Sequence, residues 1–338
     1  MSDWTSEEGI SNEEKIYYYR KAGQIGYEVL HTIVKMIKPG ASVIDICESA
    51  EKMILEKGAD GHGFPTNVSI NHLAAHYSSP FGDQTIIPSD GIVKFDVGVH
   101  VNGYIADTAL SVNLSSDHKN LKEAAKEGFK AGMEIINPGT MPSMIGKRVE
   151  ETINGYGYKP LRELSGHKLG RFELHGEKRL PNVGQAFDPA ESALEVGEAY
   201  AFETFASTGT GSVHEVSGTK YIYMLLPRRV ALRNPVSRKI YSTIYKNYKS
   251  LPFAERWLSS YGGFNQARVR FALRELLSAG GALAYPPLAD EKGSYVAQYE
   301  HTFVITENDG VIITTQPPFD FEIPESLNEN TQETSEEE

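Results

Sequence analysis

IVKFDVGVHVNGYIADTALSVNL, residues 92–114, reads as one β-hairpin. Val, Ile, Phe and Thr favour strands in both arms, and Asn102-Gly103 between them is a two-residue turn signal, since both turn positions need positive φ. With Val101 facing Tyr104, Asp107 falls opposite Gly98 and Asp96 opposite Ala109. Asp96 and Asp107 are then diagonal neighbours on one sheet face, roughly 7 Å apart at the backbone. Ile92, Val93, Phe95, Val97 and Val99 make the first arm apolar on both faces. A carboxylate in such a strand must be paired or meet a metal. Two carboxylates this close repel unless one is protonated or a cation lies between them. Gly98, opposite Asp107, leaves room for a ligand.

Two more acids sit in apolar, strand-like runs: Glu203 in AYAFETF (199–205) and Glu300 in the strand Tyr295–Thr306. His167 lies in SGHKLG (165–170) and His175 in Leu174-His175-Gly176, one Gly-rich segment between the two halves of the chain. Lys and Arg are scarce around the four acids, so divalent cations are the simplest neutralising partners. One imidazole and several carboxylates form a hard ligand set, suited to Mn, Fe, Co or Zn and unlike a structural zinc site. Four carboxylates balance two divalent ions, and the chain reads as a dinuclear metal hydrolase. His76, in Ala74-Ala75-His76-Tyr77, has no role that its own context assigns. Neither do His31, His62, His72, His100, His118, His214 and His301.

Outward from the hairpin, residues 1–12 read as a disordered lead. Ser11 or Asn12 caps a helix from about Glu13 to Lys38, with Glu14 as capping-box partner of Ser11. Ser42 caps a second helix to about Lys57, where Gly58 stops it. Phe64-Pro65 opens a short strand through Ile70. Helices follow over Lys119–Ile136 and Ser143–Asn154, and a last strand over Val311–Thr315. Between the Glu203 and Glu300 strands, Ser237–Ser250, Pro252–Tyr261 and Asn265–Ser278 read as three helices. They belong to an inserted helical, winged-helix-like subdomain over 230–290. Winged helices often bind DNA, but the basic residues here are offset by a negative chain, so the insert is expected to shape the rim of a site. The catalytic domain spans 13–315, and residues 316–338 read as an acidic, disordered tail.

The 338 residues suffice for one large domain or two. The net charge of −12 argues against a protein held to nucleic acid mainly through phosphates. More than half of that charge is local, since seven Glu and no Lys or Arg follow Phe321. Cys47 is the single cysteine, so no internal disulfide forms and a reducing cytoplasm fits. The N-terminal stretch lacks the basic start and apolar core of a signal peptide. No apolar run reaches the ~18 residues of a membrane helix.

Phe64-Pro65-Thr66, Ala74-Ala75-His76-Tyr77, Lys94-Phe95-Asp96-Val97-Gly98 with Asp107, Gly166-His167 with Leu174-His175-Gly176, Phe202-Glu203-Thr204-Phe205, Tyr285-Pro286-Pro287 and Gln298-Tyr299-Glu300-His301-Thr302 together resemble the type 2 methionine aminopeptidases, from about Glu13 to Thr315. The helical insert resembles the feature that separates type 2 from type 1, and the lack of a long charged extension looks archaeal. The resemblance implies an α+β pita-bread fold of two pseudo-symmetric halves. It implies that Asp96 chelates one metal, that Asp107 and Glu300 bridge two, and that His167 and Glu203 complete the second. It implies that His76 meets the scissile amide, that His175 stabilises the tetrahedral intermediate, that Glu203 is the base, and that Phe64, Leu174 and Tyr285 line a methionine pocket. The implied activity removes initiator methionine from peptides and nascent chains, with a small second residue preferred. Beside it stand the expectations of a cytoplasmic location, a monomer by default since nothing demands an oligomer, transient ribosome association, no stable nucleic acid and no membrane. One departure is Ile222-Tyr223-Met224, where the animal form reads His-Tyr-Met. The alternatives are an Xaa-Pro dipeptidase, which shares the ligand pattern but carries a separate N-terminal domain, and a non-catalytic ribosome- or RNA-binding relative, in which metal ligands are lost.

Overall fold

The computed structural model describes residues 4–185, 190–218, 220–260 and 262–327. Helices α1 (Asn12–Ile33) and α2 (Val43–Glu56) come first, followed by strands β1 (Gly61–Ile70), β2 (Leu73–Ala75), β3 (Ile92–Val101) and β4 (Tyr104–Asn113). Helices α3 (Lys119–Met133) and α4 (Pro142–Gly155) precede β5 (Lys159–Pro160), β6 (Ser165–Leu169), β7 (Arg179–Pro181), β8 (Ala199–Ser207) and β9 (His214–Glu215). The insert runs through β10 (Ile222–Leu225), α5 (Pro235–Tyr248), β11 (Phe253–Ala254), α6 (Glu255–Ser260), α7 (Gln266–Ser278) and β12 (Ala282–Tyr285). The chain returns through β13 (Leu288–Ala289), β14 (Val296–Ile305) and β15 (Val311–Ile313).

The capping box at α1 is present: Glu14 N–H donates to Ser11 Oγ at 3.2 Å, and Ser11 N–H to Glu14 Oε2 at 2.7 Å. Ser42 caps α2 through Asp45 N–H at 3.3 Å. The hairpin has the expected register, with Val101 opposite Tyr104, Gly98 opposite Asp107 and Asp96 opposite Ala109. Asn102 and Gly103 take φ of 50° and 85°, which the tight turn requires.

The main antiparallel sheet has the order β1-β3-β4-β14-β8-β6-β7, with β15 beside β14 and β5 beside β8. Helices α1 and α2 cover the β1-β3-β4 half, burying Val29, Ile46 and Phe95. Helices α3 and α4 cover the β8-β14 half around Phe129, Ile145 and Phe202. The halves meet at β4 and β14, whose register contains the one pair Ala109–Glu300. Hydroxyls bridge the rest of this seam. Thr302 Oγ1 accepts from Asp107 N–H and donates to Asp107 O, both at 2.8 Å. Ser111 Oγ treats Gln298 the same way, at 2.8 and 2.9 Å, and Thr108 Oγ1 donates to Glu300 O at 3.0 Å. Side-chain hydroxyls thus take the place of a direct backbone ladder along most of this seam.

The insert has its own core, in which Ile240, Ile244, Phe253, Trp257, Leu273 and Leu276 are buried together. It differs from expectation in two respects. It begins upstream of 230, because β10 pairs with both β11 and β12, and the expected helix over 252–261 starts with strand β11. Both expected disordered ends also differ. The lead is packed from Trp4, whose ring lies 4.3 Å from that of Tyr245, while Arg171 donates to Ser6 O at 2.6 Å. The tail continues along α1, where Phe319 meets Tyr27, Phe321 meets Tyr17, and Ser326 Oγ donates to Glu14 at 2.9 Å. Polar composition concealed the few aromatic anchors that dock each end. Residues 328–338 lie outside the described residues.

Candidate metal centre and active site

Side chains of a strand alternate faces with period two, so cross-strand register alone decides which meet. One row across the sheet is Asn67, Asp96, Ala109, Glu300 and Glu203. The neighbouring row, two residues along, carries Gly98 opposite Asp107 on one side of the seam, and Thr302, Ala201 and His167 on the other. Four carboxylates and an imidazole are thereby placed on one face, around the seam between the two halves. They line one pocket together with His76, His175, Phe64, Leu174 and Tyr285, so every sequence-derived site residue is in a single place.

Ligand atoms of Asp107, His167 and Glu300 all lie within 4.8 Å of one another, and His167 Nε2 is 3.7 Å from Asp107 Oδ2. Asp96 and Glu203 border this group without belonging to its tightest set. Gln298 Nε2 donates to Glu203 Oε2 at 3.2 Å and to Glu300 Oε2 at 3.0 Å. Burial pushes all four carboxyls well above the ordinary range, and their mutual repulsion adds to it. Asp96 Oδ1 and Asp107 Oδ1 are buried with no hydrogen-bond partner. Oxygen-rich, mutually repelling and incompletely satisfied, the cluster fits divalent cations.

The nearby cation is Arg179, which sits opposite His167 in the β6–β7 register and favours ionisation of Glu203. Burial lowers His167 to about 3, with the Arg179 charge adding to the effect, so it stands neutral with a lone pair to offer. Burial likewise brings His76 to about 4 and takes His175 well below its usual value. Both are neutral near pH 7. His76 adopts φ of 64°, a strained value for a residue with a Cβ, and its Nδ1 lies 3.3 Å from Pro286 O. The His175 ring is 4.4 Å from that of His167, and its Nδ1 is 3.4 Å from Tyr285 Oη.

Apolar groups close the rest of the pocket. Ile222 and Pro252 from the insert join Phe64, Leu174 and Tyr285, with Leu164 and Ala75 beside them. Ile222 lines the wall where the sequence departs from the animal form, and Met224 Sδ accepts from Tyr285 Oη at 3.4 Å. The room expected beside Gly98 is taken: a Cβ there would meet the Phe64 ring at 2.3 Å. Gly98 therefore seats a pocket wall, not a ligand. Sequence reasoning assigned no role to Asn67, Leu164 or Pro252, and it singled out Ile222 only as a departure at a pocket wall. An Asn amid an apolar strand was the one signal for Asn67, and its pairing with Asp96 is non-local.

A family model described as metallopeptidase family M24 matches residues 18–307. Over 296 residues the chain is 41% identical to a protein named methionine aminopeptidase from Thermococcus onnurineus, covering 87% of this chain and 97% of that one. Over 320 residues it is 38% identical to one named methionine aminopeptidase 2-2 from Arthroderma otae, covering 88% and 71%. The structure of a thermophilic Arx1 matches with a TM-score of 0.78, covering 94% of this chain and 97% of that one, and at 20% identity the likeness is one of fold.

Proposed function

The chain belongs to metallopeptidase family M24, among the methionine aminopeptidases, and from that premise we propose that it removes N-terminal methionine from peptides and nascent proteins by metal-assisted hydrolysis. The observation that carries the reading is the row of facing acids, with His167 beside them, at the foot of an apolar pocket. Asp96, Asp107, His167, Glu203 and Glu300 would hold two divalent ions, drawn from Mn, Fe, Co and Zn. Bound there, such ions lower the pKa of a water toward neutrality and polarise an amide carbonyl.

The protein's own groups do the rest. Glu203 takes the proton of the attacking water and delivers it to the leaving amine. His175, neutral and held near Tyr285, donates to the developing oxyanion. His76, fixed by its strained backbone and Pro286, meets the scissile amide. Phe64, Leu174, Ile222 and Tyr285 enclose an unbranched thioether side chain. The preferred second residue is small. The substrate is a free N-terminus, the setting is the cytoplasm, and the working form is a monomer.

Incubating the ion-loaded protein with Met-Ala-Ser and with Ala-Pro, and weighing the products, tests this. Release of Met from the first alone, lost with chelator and in Glu203→Ala, is expected. Cleavage of Ala-Pro alone would move the assignment to an Xaa-Pro dipeptidase. No cleavage with Mn, Fe, Co or Zn would overturn the enzyme reading.

A further inference from the structure

Arg179 is exposed, and among the described residues its side chain makes no hydrogen bond and no ion pair. The other cations between 165 and 181 are all engaged, Lys168 and Lys178 with Glu198, and Arg171 with Asn102 and Ser6 O. Strand alternation fixes where Arg179 points. Its neighbours go to the other face, Lys178 to Glu198 and Leu180 into the core cluster that holds Phe202. Arg179 therefore shares the face of His167, its partner in the β6–β7 register. It ends the row that begins with Phe64 opposite Gly98 and passes Asp107 and His167. Burial is the first cause of the shifts at His167, His175, Glu203 and Tyr285, and the Arg179 charge acts on all four, as a guanidinium beside the pocket would.

We infer that Arg179 is a specificity residue that binds an acidic side chain at the third or fourth position of the substrate. The inference rests on the proposed function. Phe64, at one end of the row, is a wall of the methionine pocket, and Asp107 and His167 lie in its middle. The chain beyond the scissile bond then has the Arg179 end ahead of it. Arg179 stands one strand spacing, about 4.8 Å, past His167, and an extended substrate advances about 3.3 Å per residue. A small second residue is too short to reach the guanidinium, so the next two positions meet it. The guanidinium fork matches a carboxylate with two parallel hydrogen bonds, and the same charge repels Lys or Arg placed there.

Steady-state cleavage of Met-Ala-Glu-Glu, Met-Ala-Gln-Gln and Met-Ala-Lys-Lys by the ion-loaded protein tests the inference. The peptides are amidated, so that no terminal carboxylate competes for Arg179. In the parent, kcat/KM should fall about three- to fivefold from Glu to Gln and as much again from Gln to Lys. The difference should lie in KM, because the contact is the same in ground and transition states, and high salt should narrow it. Arg179→Gln should erase the order, Arg179→Lys should keep it, and Arg179→Glu should reverse it. Losing the Arg179 charge also acts on Glu203, but equally for all three peptides, so the ratios isolate the side-chain contact. Equal kcat/KM values in the parent, or an unchanged order in Arg179→Gln, would overturn the inference and leave the aminopeptidase standing. If no peptide is cleaved, the aminopeptidase reading falls, and calorimetry of the same peptides on the parent decides the rest. Affinities graded from Glu to Lys would keep the Arg179 site, and equal or absent binding would overturn it.

Discussion

Glu203 and Glu300 stand directly opposite one another on β8 and β14, and one side-chain amide, that of Gln298, donates to both. The amide orients two carboxylates that would otherwise turn apart. Glu203→Gln keeps the size and removes the proton acceptor, so turnover of Met-Ala-Ser should fall by ~10²–10⁴. Gln298→Ala leaves every ligand in place and should weaken ion affinity by ~10–100-fold, read by titration calorimetry. Unaltered affinity in that variant would mean that the carboxylates hold their orientation without the amide.

The same repulsion makes stability depend on pH and on metal. Asp96, Asp107, Glu203 and Glu300 bind protons more tightly folded than unfolded, first through burial and then through one another. A carboxyl whose folded pKa is raised costs stability progressively as pH climbs above its unfolded value of about 4. Chelated protein should therefore melt at a lower temperature at pH 8 than at pH 5. Divalent ions should cancel that slope, release protons on binding, and add ~2.7 kcal/mol at a hundred times Kd. Scanning calorimetry at several pH values, with and without chelator, reads both. A chelated protein more stable at pH 8 would contradict the electrostatic account.

What the sequence made legible was local. The Asn102-Gly103 turn fixed its own register, so the Asp96–Asp107 diagonal followed from counting. The opposition of Glu203 and Glu300, almost a hundred residues apart, depends on a strand pairing that no local pattern encodes, and so does Asn67 beside Asp96. Averaging misled at the two ends of the chain. Polar composition hid Trp4, Phe319 and Phe321 as anchors of the two ends. The identity of the pocket wall at Ile222 depended on where the insert docks, a tertiary fact.

Glu198 gives an acid-sensitive joint behind the site. Burial alone would raise its carboxyl, but Lys168 at 2.8 Å, Lys178 at 2.7 Å, Tyr200 Oη at 2.6 Å and Glu195 N–H at 2.8 Å outweigh that and hold it at about 2. A depressed carboxyl stabilises the fold above its unfolded pKa of about 4.3 and loses that contribution as pH falls toward 2. Glu198→Gln should cost about 1.5–3 kcal/mol near pH 7, with the difference from the parent shrinking as pH drops. Urea unfolding at pH 7 and pH 3 measures both. A difference independent of pH would place the effect in packing instead.

The insert is fastened to the body by one buried ion pair, and this joint reaches the pocket. Glu51 on α2 accepts from Arg256 Nη2 at 2.6 Å and from Trp257 Nε1 at 2.8 Å, and both Glu51 and Arg256 are 1% exposed. Glu51→Ala strands a buried guanidinium and should cost about 3–5 kcal/mol, whereas the double variant Glu51→Leu, Arg256→Met should recover most of it, because two apolar groups leave no charge unpaired. Since the insert supplies Ile222, Pro252 and Tyr285 to the apolar wall, loosening it should raise KM for Met peptides more than it lowers kcat, the acids being held by the main sheet. Urea denaturation gives the first comparison and steady-state kinetics the second. Equal losses in kcat and in kcat/KM, with KM unchanged, would show that the insert acts on the chemistry and not on the pocket.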